Sequence, residues 1–167
     1  MPQIEKAPRG WRFRFTWKNT LIIIGGLIGI LILVYVFLVP TPQRAYLNST
    51  ALTDKGNFGW ARFELQLSNL KAFSDADHVL ILSSLVAVSI NSKDYVSAEK
   101  YDKQLEKYLP NNYELIMSEA YVYELMGNKS QAIADYQRVL DMMSKTKAGI
   151  TQEDPAYIKN KILELQK

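Results

Sequence analysis

The sequence predicts an all-α protein in which an N-terminal transmembrane helix precedes a short α-solenoid of about three helix pairs, ended by a terminal capping helix. Three observations carry this prediction. Residues 21–39 form an apolar run without a single charge. Beyond residue 40, apolar residues recur at three- and four-residue steps, the period of one helix face. A turn followed by a helix with an internal alanine recurs at nearly constant spacing, with Ala61, Ala98 and Ala132 lying 37 and then 34 residues apart.

The membrane segment reads LIIIGGLIGILILVYVFLV, 19 residues. At ~1.5 Å per residue it spans roughly 28 Å, close to the thickness of a bilayer core. A cleaved signal peptide has a shorter apolar core and a small-x-small cleavage site. Here Val39-Pro40-Thr41-Pro42 follows the run instead, so an uncleaved anchor is expected. Lys6, Arg9, Arg12, Arg14 and Lys18 precede the helix against Glu5 alone, while only Arg44 and Lys55 follow within twenty residues. The positive-inside rule therefore places residues 1–20 in the cytoplasm as a basic tail and the remaining chain on the extracytoplasmic side. Trp11, Trp17 and Tyr35 suit the two interfaces, and Phe13 and Trp17 suit the headgroup layer beside the arginines. Gly25 and Gly29, with Gly26 beside them, are spaced for close approach of a second helix, from another copy or from a partner. The plainer reading is that glycine is common in membrane helices.

Charge and cysteine content narrow the function. The net charge of +3 belongs to the tail, because everything after residue 40 holds 15 basic and 16 acidic side chains. Nucleic-acid binding by the domain is not expected from such a balance. The absence of cysteine excludes disulfides, thiolate metal sites and a cysteine-linked lipid anchor.

Residues 40–42 read as a proline-stiffened connector and residues 43–167 as the helical domain. Within the domain, residues 55–61 (KGNFGWA), 92–98 (SKDYVSA) and 126–132 (MGNKSQA) each precede a helical run. A 34-residue period of paired helices resembles the tetratricopeptide repeat (TPR). Residues 113–146 carry the resemblance best: Ala120 stands where two helices cross, Tyr123 between them, Gly127-Asn128 at the turn, and Ala132 and Tyr136 on the inner face of the second helix. Residues 79–112 keep Ala98, Leu105 and Pro110 but have Val86 for the small residue and Lys93 for the turn glycine. Residues 42–75 keep Gly56 and Ala61 and contain three extra residues. The layout is also similar to that of single-pass membrane-anchored TPR proteins such as the translocon-associated periplasmic ones.

The resemblance implies a protein-binding groove lined by the first helix of each pair. The matching positions are Ser83, Ala87, Ile90, Asn91, Met117, Tyr121 and Glu124. Ser83, Ala87, Met117 and Tyr121 stand where some family members place a basic and amide clamp for a C-terminal carboxylate. An apolar or aromatic ligand is expected instead. The alternative is that Met117 and Tyr121 belong to the core.

Local signals agree with the helices. Ser74 with Asp77 opens one helix, whose Val79, Leu82, Val86 and Ile90 form an apolar stripe. Asp94 or Ser92 caps a helix with Tyr95, Ala98, Tyr101, Leu105 and Tyr108 on one face, and Asn111 or Asn112 caps the next. Residues 147–153 read as a loop. Asp154-Pro155 starts a last helix over 155–165, with Ile158, Ile162 and Leu165 inward. Such a helix covers the stacking face of a repeat array.

No catalytic constellation, phosphate loop or nucleophile elbow is visible, so no enzyme and no cofactor are expected. His78 with Asp75 and Asp77 has ligand chemistry, but acidic residues are favoured at a helix start without any metal, and no metal site is expected. Asn48-Ser49-Thr50 and Asn128-Lys129-Ser130 match the glycosylation triplet, though Asn128 also suits a turn. The expected function is a membrane-anchored interaction adaptor or assembly factor holding a protein partner at the bilayer. The alternatives are a permanent subunit of a larger membrane complex and an organelle-surface receptor with a cytosolic domain.

Overall fold

The computed structural model describes residues 17–145 and 155–167. Most of the basic tail, Trp11 and Phe13 included, and the loop expected at 147–153 lie outside the described residues. The order of elements is α1 (Trp17–Leu38), α2 (Pro42–Asp54), α3 (Phe58–Ser68), a 3-10 turn (Asn69–Lys71), α4 (Asp75–Asn91), α5 (Tyr95–Leu105), α6 (Tyr113–Leu125), α7 (Lys129–Lys145) and α8 (Pro155–Leu165). No strand occurs among the described residues. The chain divides into two compact units at Leu38/Val39.

In the first unit, residues Thr20–Leu38 are long and apolar enough to cross a membrane. The helix stops one residue earlier than the apolar run. Val39 precedes Pro40, whose ring disfavours helical backbone at the residue before it. Val39 is buried in the second unit, so it belongs to the domain and not to the apolar helix. The connector is likewise shorter than expected. Thr41 caps α2 by accepting from the Arg44 N–H at 3.4 Å, and Pro42 is already the first helical residue. Proline suits that position because its missing N–H has no helical partner there.

The second unit stacks three helix pairs, α2/α3, α4/α5 and α6/α7, followed by α8. Each pair closes through the same turn. Gly56, Lys93 and Gly127 take left-handed backbone with φ of 72°, 61° and 74°. The next residue donates its N–H five residues back: Asn57 to Leu52 at 2.8 Å, Asp94 to Ser89 at 2.8 Å and Asn128 to Tyr123 at 2.9 Å. With the N–H groups of Gly56, Lys93 and Gly127 donating three residues back, to Thr53, Ile90 and Glu124, this closure satisfies the last carbonyls of the first helix. Asp94 then caps α5 at Ser97 N–H, 3.2 Å away, and Asn128 caps α7 at Gln131 N–H, 3.4 Å away. Four residues after each of these lies a fully buried alanine, Ala61, Ala98 or Ala132. Ser49, Val86 and Ala120 occupy matching positions on the first helices and are buried too.

The remaining caps follow from short polar side chains. Ser74 and Asp77 form a reciprocal capping box, and Asn112, rather than Asn111, caps α6 at Leu115 N–H, 3.0 Å away. Asn111 takes left-handed backbone at φ 56°, which asparagine tolerates.

Burial on α4 is wider than one stripe. Leu82 and Val86 are buried as expected, but so are Ile81, Leu85 and Val88, because α4 packs against α2, α3 and α5 together. Two apolar clusters result. One joins α2–α5 with Leu115 and Val122 of α6; the other joins Ile116 and Ala120 of α6 with α7 and α8. Thus α6 is the helix that links them. Tyr136 and Val139 of α7 and Ile158 of α8 are fully buried in the second cluster.

Candidate functional site

A groove of about 550 Å³ lies between α3, α4 and α5. Its floor is Ile81, Leu82 and Leu85, buried on one side of α4. Its walls are polar: Gln66 from α3, Asn69 from the 3-10 turn, His78 from α4, and Tyr101, Lys103, Gln104, Lys107 and Tyr108 from α5 and the turn after it. The α5 residues face it together because they recur at three- and four-residue steps.

The walls carry two lysines beside amide, imidazole and hydroxyl groups, and no carboxylate lines the groove. Gln66 Nε2 donates to the Tyr101 hydroxyl at 3.1 Å, which leaves the Tyr101 proton for an acceptor in the groove. Asn69 Oδ1 lies 3.2 Å from His78 Nδ1. The His78 ring stacks on Tyr108 at 5.1 Å, and Lys107 Nζ sits 5.3 Å from the Tyr108 ring centre. Lys103 pairs with Glu99 one turn away, which holds its pKa above the ordinary lysine value. The same pairing, with a hydrogen bond from Tyr123, holds the Glu99 carboxyl below the usual range.

The residues expected to line one groove are distributed over more than one cavity. Ser83 lines a 210 Å³ cleft between α4, α5 and α6 with Glu114 and Ser118. Ala87 and Asn91 instead line a 160 Å³ crevice between α2 and α4. Ile90 and Met117 are partly buried and pack against the two apolar clusters. Glu124 accepts from the Tyr136 hydroxyl at 2.9 Å and pairs with Lys161 of α8 at 2.8 Å, so it ties α8 to α6. Tyr121 is 43% exposed. At the second junction, α6 packs against α5.

Two carboxyls with raised pKa values lie near that junction. Burial pushes Asp102 up to about 7, opposed by the Ser118 hydroxyl, which donates to it at 3.1 and 3.3 Å. Burial, then the charges of Glu106, Asp102 and Asp135, push Glu119 up to about 7, against Arg138. His78, Asp75 and Asp77 form no common site: Asp77 serves the capping box, while Asp75 is exposed at the first turn of α4.

Sequence reasoning missed Gln66, Tyr101, Lys103, Gln104 and Lys107 as wall residues. The signal available was the Lys103/Lys107 pair one turn apart, interleaved with Tyr101 and Tyr108. Its meaning depended on α3 lying opposite. In comparisons with known proteins, no family model and no curated protein matches this chain.

Proposed function

We propose that this chain is a non-catalytic adaptor, held in a membrane by α1, that binds a protein partner through its stack of helix pairs. The observation that carries this reading is the α3–α4–α5 groove. An apolar floor bordered by lysine, amide and tyrosine donors, with no carboxylate among them, complements an extended segment bearing acidic and apolar side chains. The repeated left-handed turn at Gly56, Lys93 and Gly127, with a buried alanine after each, supports a TPR-type array. The basic residues before α1 support a cytoplasmic N-terminus and an extracytoplasmic domain. Gly25 and Gly29, with no side chain near either, leave a face on which a second membrane helix fits closely.

The test is crosslinking in intact membranes, followed by identification of what is attached. Gln104→Glu with Lys107→Glu reverses the groove wall without touching the core. Expected is a strong loss of crosslinked partner at unchanged melting temperature. Unchanged recovery places the binding surface elsewhere, and Tyr121→Ser then reports on the α6 face. Protease protection in intact cells or spheroplasts tests the topology; cleavage from the cytosolic side favours a receptor. Stoichiometric recovery of the partner after mild detergent extraction identifies a permanent subunit.

A further inference from the structure

Phe73 is 83% exposed, more than any other large apolar side chain among the described residues, and Leu70 is 59% exposed. Phe73 directly precedes the Ser74 cap of α4, the position from which an apolar residue ordinarily packs back onto the first turn. It does not do so. The first-turn partner would be His78, and that ring is stacked on Tyr108. The backbone carrying Phe73 is nonetheless well held, since the N–H groups of Phe73 and Ser74 donate to Asp77 Oδ2 at 3.3 and 3.2 Å. A large aromatic is thus presented outward on an ordered turn.

The place of that turn along the chain names its occupant. Between Leu70 and Phe73, Lys71 Nζ donates to the Val39 carbonyl at 2.6 Å. Val39 directly follows Leu38, the last residue of the membrane-length apolar helix. This bond ties Lys71 to the residue that follows the apolar helix, and Leu70 and Phe73 lie within two residues of Lys71 along the chain. Arg44, exposed in the first turn of α2, adds a cation five residues after Val39 in the sequence. Aromatic and aliphatic side chains flanked by cations are the composition that partitions into the headgroup–acyl boundary.

We propose that Leu70 and Phe73 insert into the interfacial layer of the bilayer that α1 crosses, with Lys71 and Arg44 at headgroup level, forming a second attachment that holds the domain down on the membrane. This rests on the reading of α1 as a membrane span.

The chain lacks cysteine, so single-cysteine spin labels can be placed in the full-length protein reconstituted into lipid vesicles. Leu70→Cys and Phe73→Cys are compared with Leu31→Cys inside α1 and Lys129→Cys on the exposed start of α7. Expected at 70 and 73 is high accessibility to oxygen and low accessibility to an aqueous nickel complex, on the side of Leu31→Cys. Nickel accessibility equal to that of Lys129→Cys, with Leu31→Cys still in lipid, overturns the inference and leaves the membrane span standing. An aqueous signal at Leu31→Cys removes the span and the inference together. Shielding from both reagents means burial against protein and also overturns it. Because cysteine removes the inserting ring, Phe73→Trp is the companion, in a chain with Trp11, Trp17 and Trp60 replaced by Phe. Its emission should shift to the blue and be quenched by brominated lipid; emission unaffected by brominated lipid argues equally against insertion.

Discussion

Lys93 is the residue at which the repeating turn departs from glycine. Its φ of 61° matches Gly56 and Gly127, but a β-carbon in left-handed backbone is crowded by the neighbouring carbonyl. Lys93→Gly should therefore stabilise the domain by about 1 kcal/mol, less the extra freedom glycine has when unfolded. Thermal denaturation measures it, and a lower melting temperature would contradict the strain. Ala132 tests the opposite case. It has no exposed surface, so Ala132→Leu should cost roughly 1–3 kcal/mol by overpacking, while Lys129→Leu on exposed surface should stay within about 0.5 kcal/mol of the parent. Equal shifts would mean that the register of α7 is misassigned. Asp102 predicts a pH dependence. Below about pH 3.8 its carboxyl is protonated whether folded or unfolded. From there to about 7 the unfolded chain releases a proton that the buried carboxyl keeps, so stability falls as pH rises, and the penalty is complete above 7. Melting should rise on acidification from about pH 8 to about pH 5.5. Asp102→Asn should raise melting at the alkaline end and flatten the slope; Glu119→Gln added to it should flatten it further.

Among the helices, α6 and α8 show how assignment to a face decides role. Met117 and Tyr121 sit one turn apart on α6, yet Met117 packs against the α6–α7–α8 cluster while Tyr121 is 43% exposed. Met117→Ser should cost roughly 1–2 kcal/mol of stability, whereas Tyr121→Ser should leave melting nearly unchanged. Separate melts of the two single variants check this, and equal losses would place Tyr121 in the core as well. For α8, Ile158 and Ile162 supply the apolar contact and the Lys161–Glu124 pair adds a polar one at 2.8 Å. The ion pair is three-quarters buried on both partners, with Tyr136 as a further donor to Glu124. Burial and that bond to Glu124 both push the Tyr136 hydroxyl pKa up.

For the molecule as a whole, the division at Leu38/Val39 predicts that residues 39–167 form a soluble helical domain once α1 is removed. Both apolar clusters lie beyond that boundary, and the charges there nearly balance. Circular dichroism of the fragment should show mainly helix with a cooperative melt. A β-type or unfolded spectrum would contradict an independent core. Beginning at Val39 matters, because its carbonyl receives Lys71 and its side chain is buried. A fragment starting at Gln43 loses both, along with the Thr41 cap.

Periodicity and capping chemistry made much of this fold readable in advance. The alanines at 61, 98 and 132, the Ser74–Asp77 box and the Ile158–Ile162 stripe are local signals, set by helix geometry within a few residues. The apolar run of α1 is legible for the same reason. What could not be read is how the pairs stack. How the helices pack depends on side chains far apart in sequence, and in this packing Ser83 lines one cleft while Ala87 and Asn91 line another. Packing of α4 against α2, α3 and α5 buries it on several sides, and α3 lying opposite α5 gathers Gln66, Tyr101 and Lys107 around one groove. Helix formation depends on neighbours three and four residues away, while a groove exists only between helices. Its walls are therefore settled by packing complementarity, which no single helical period encodes.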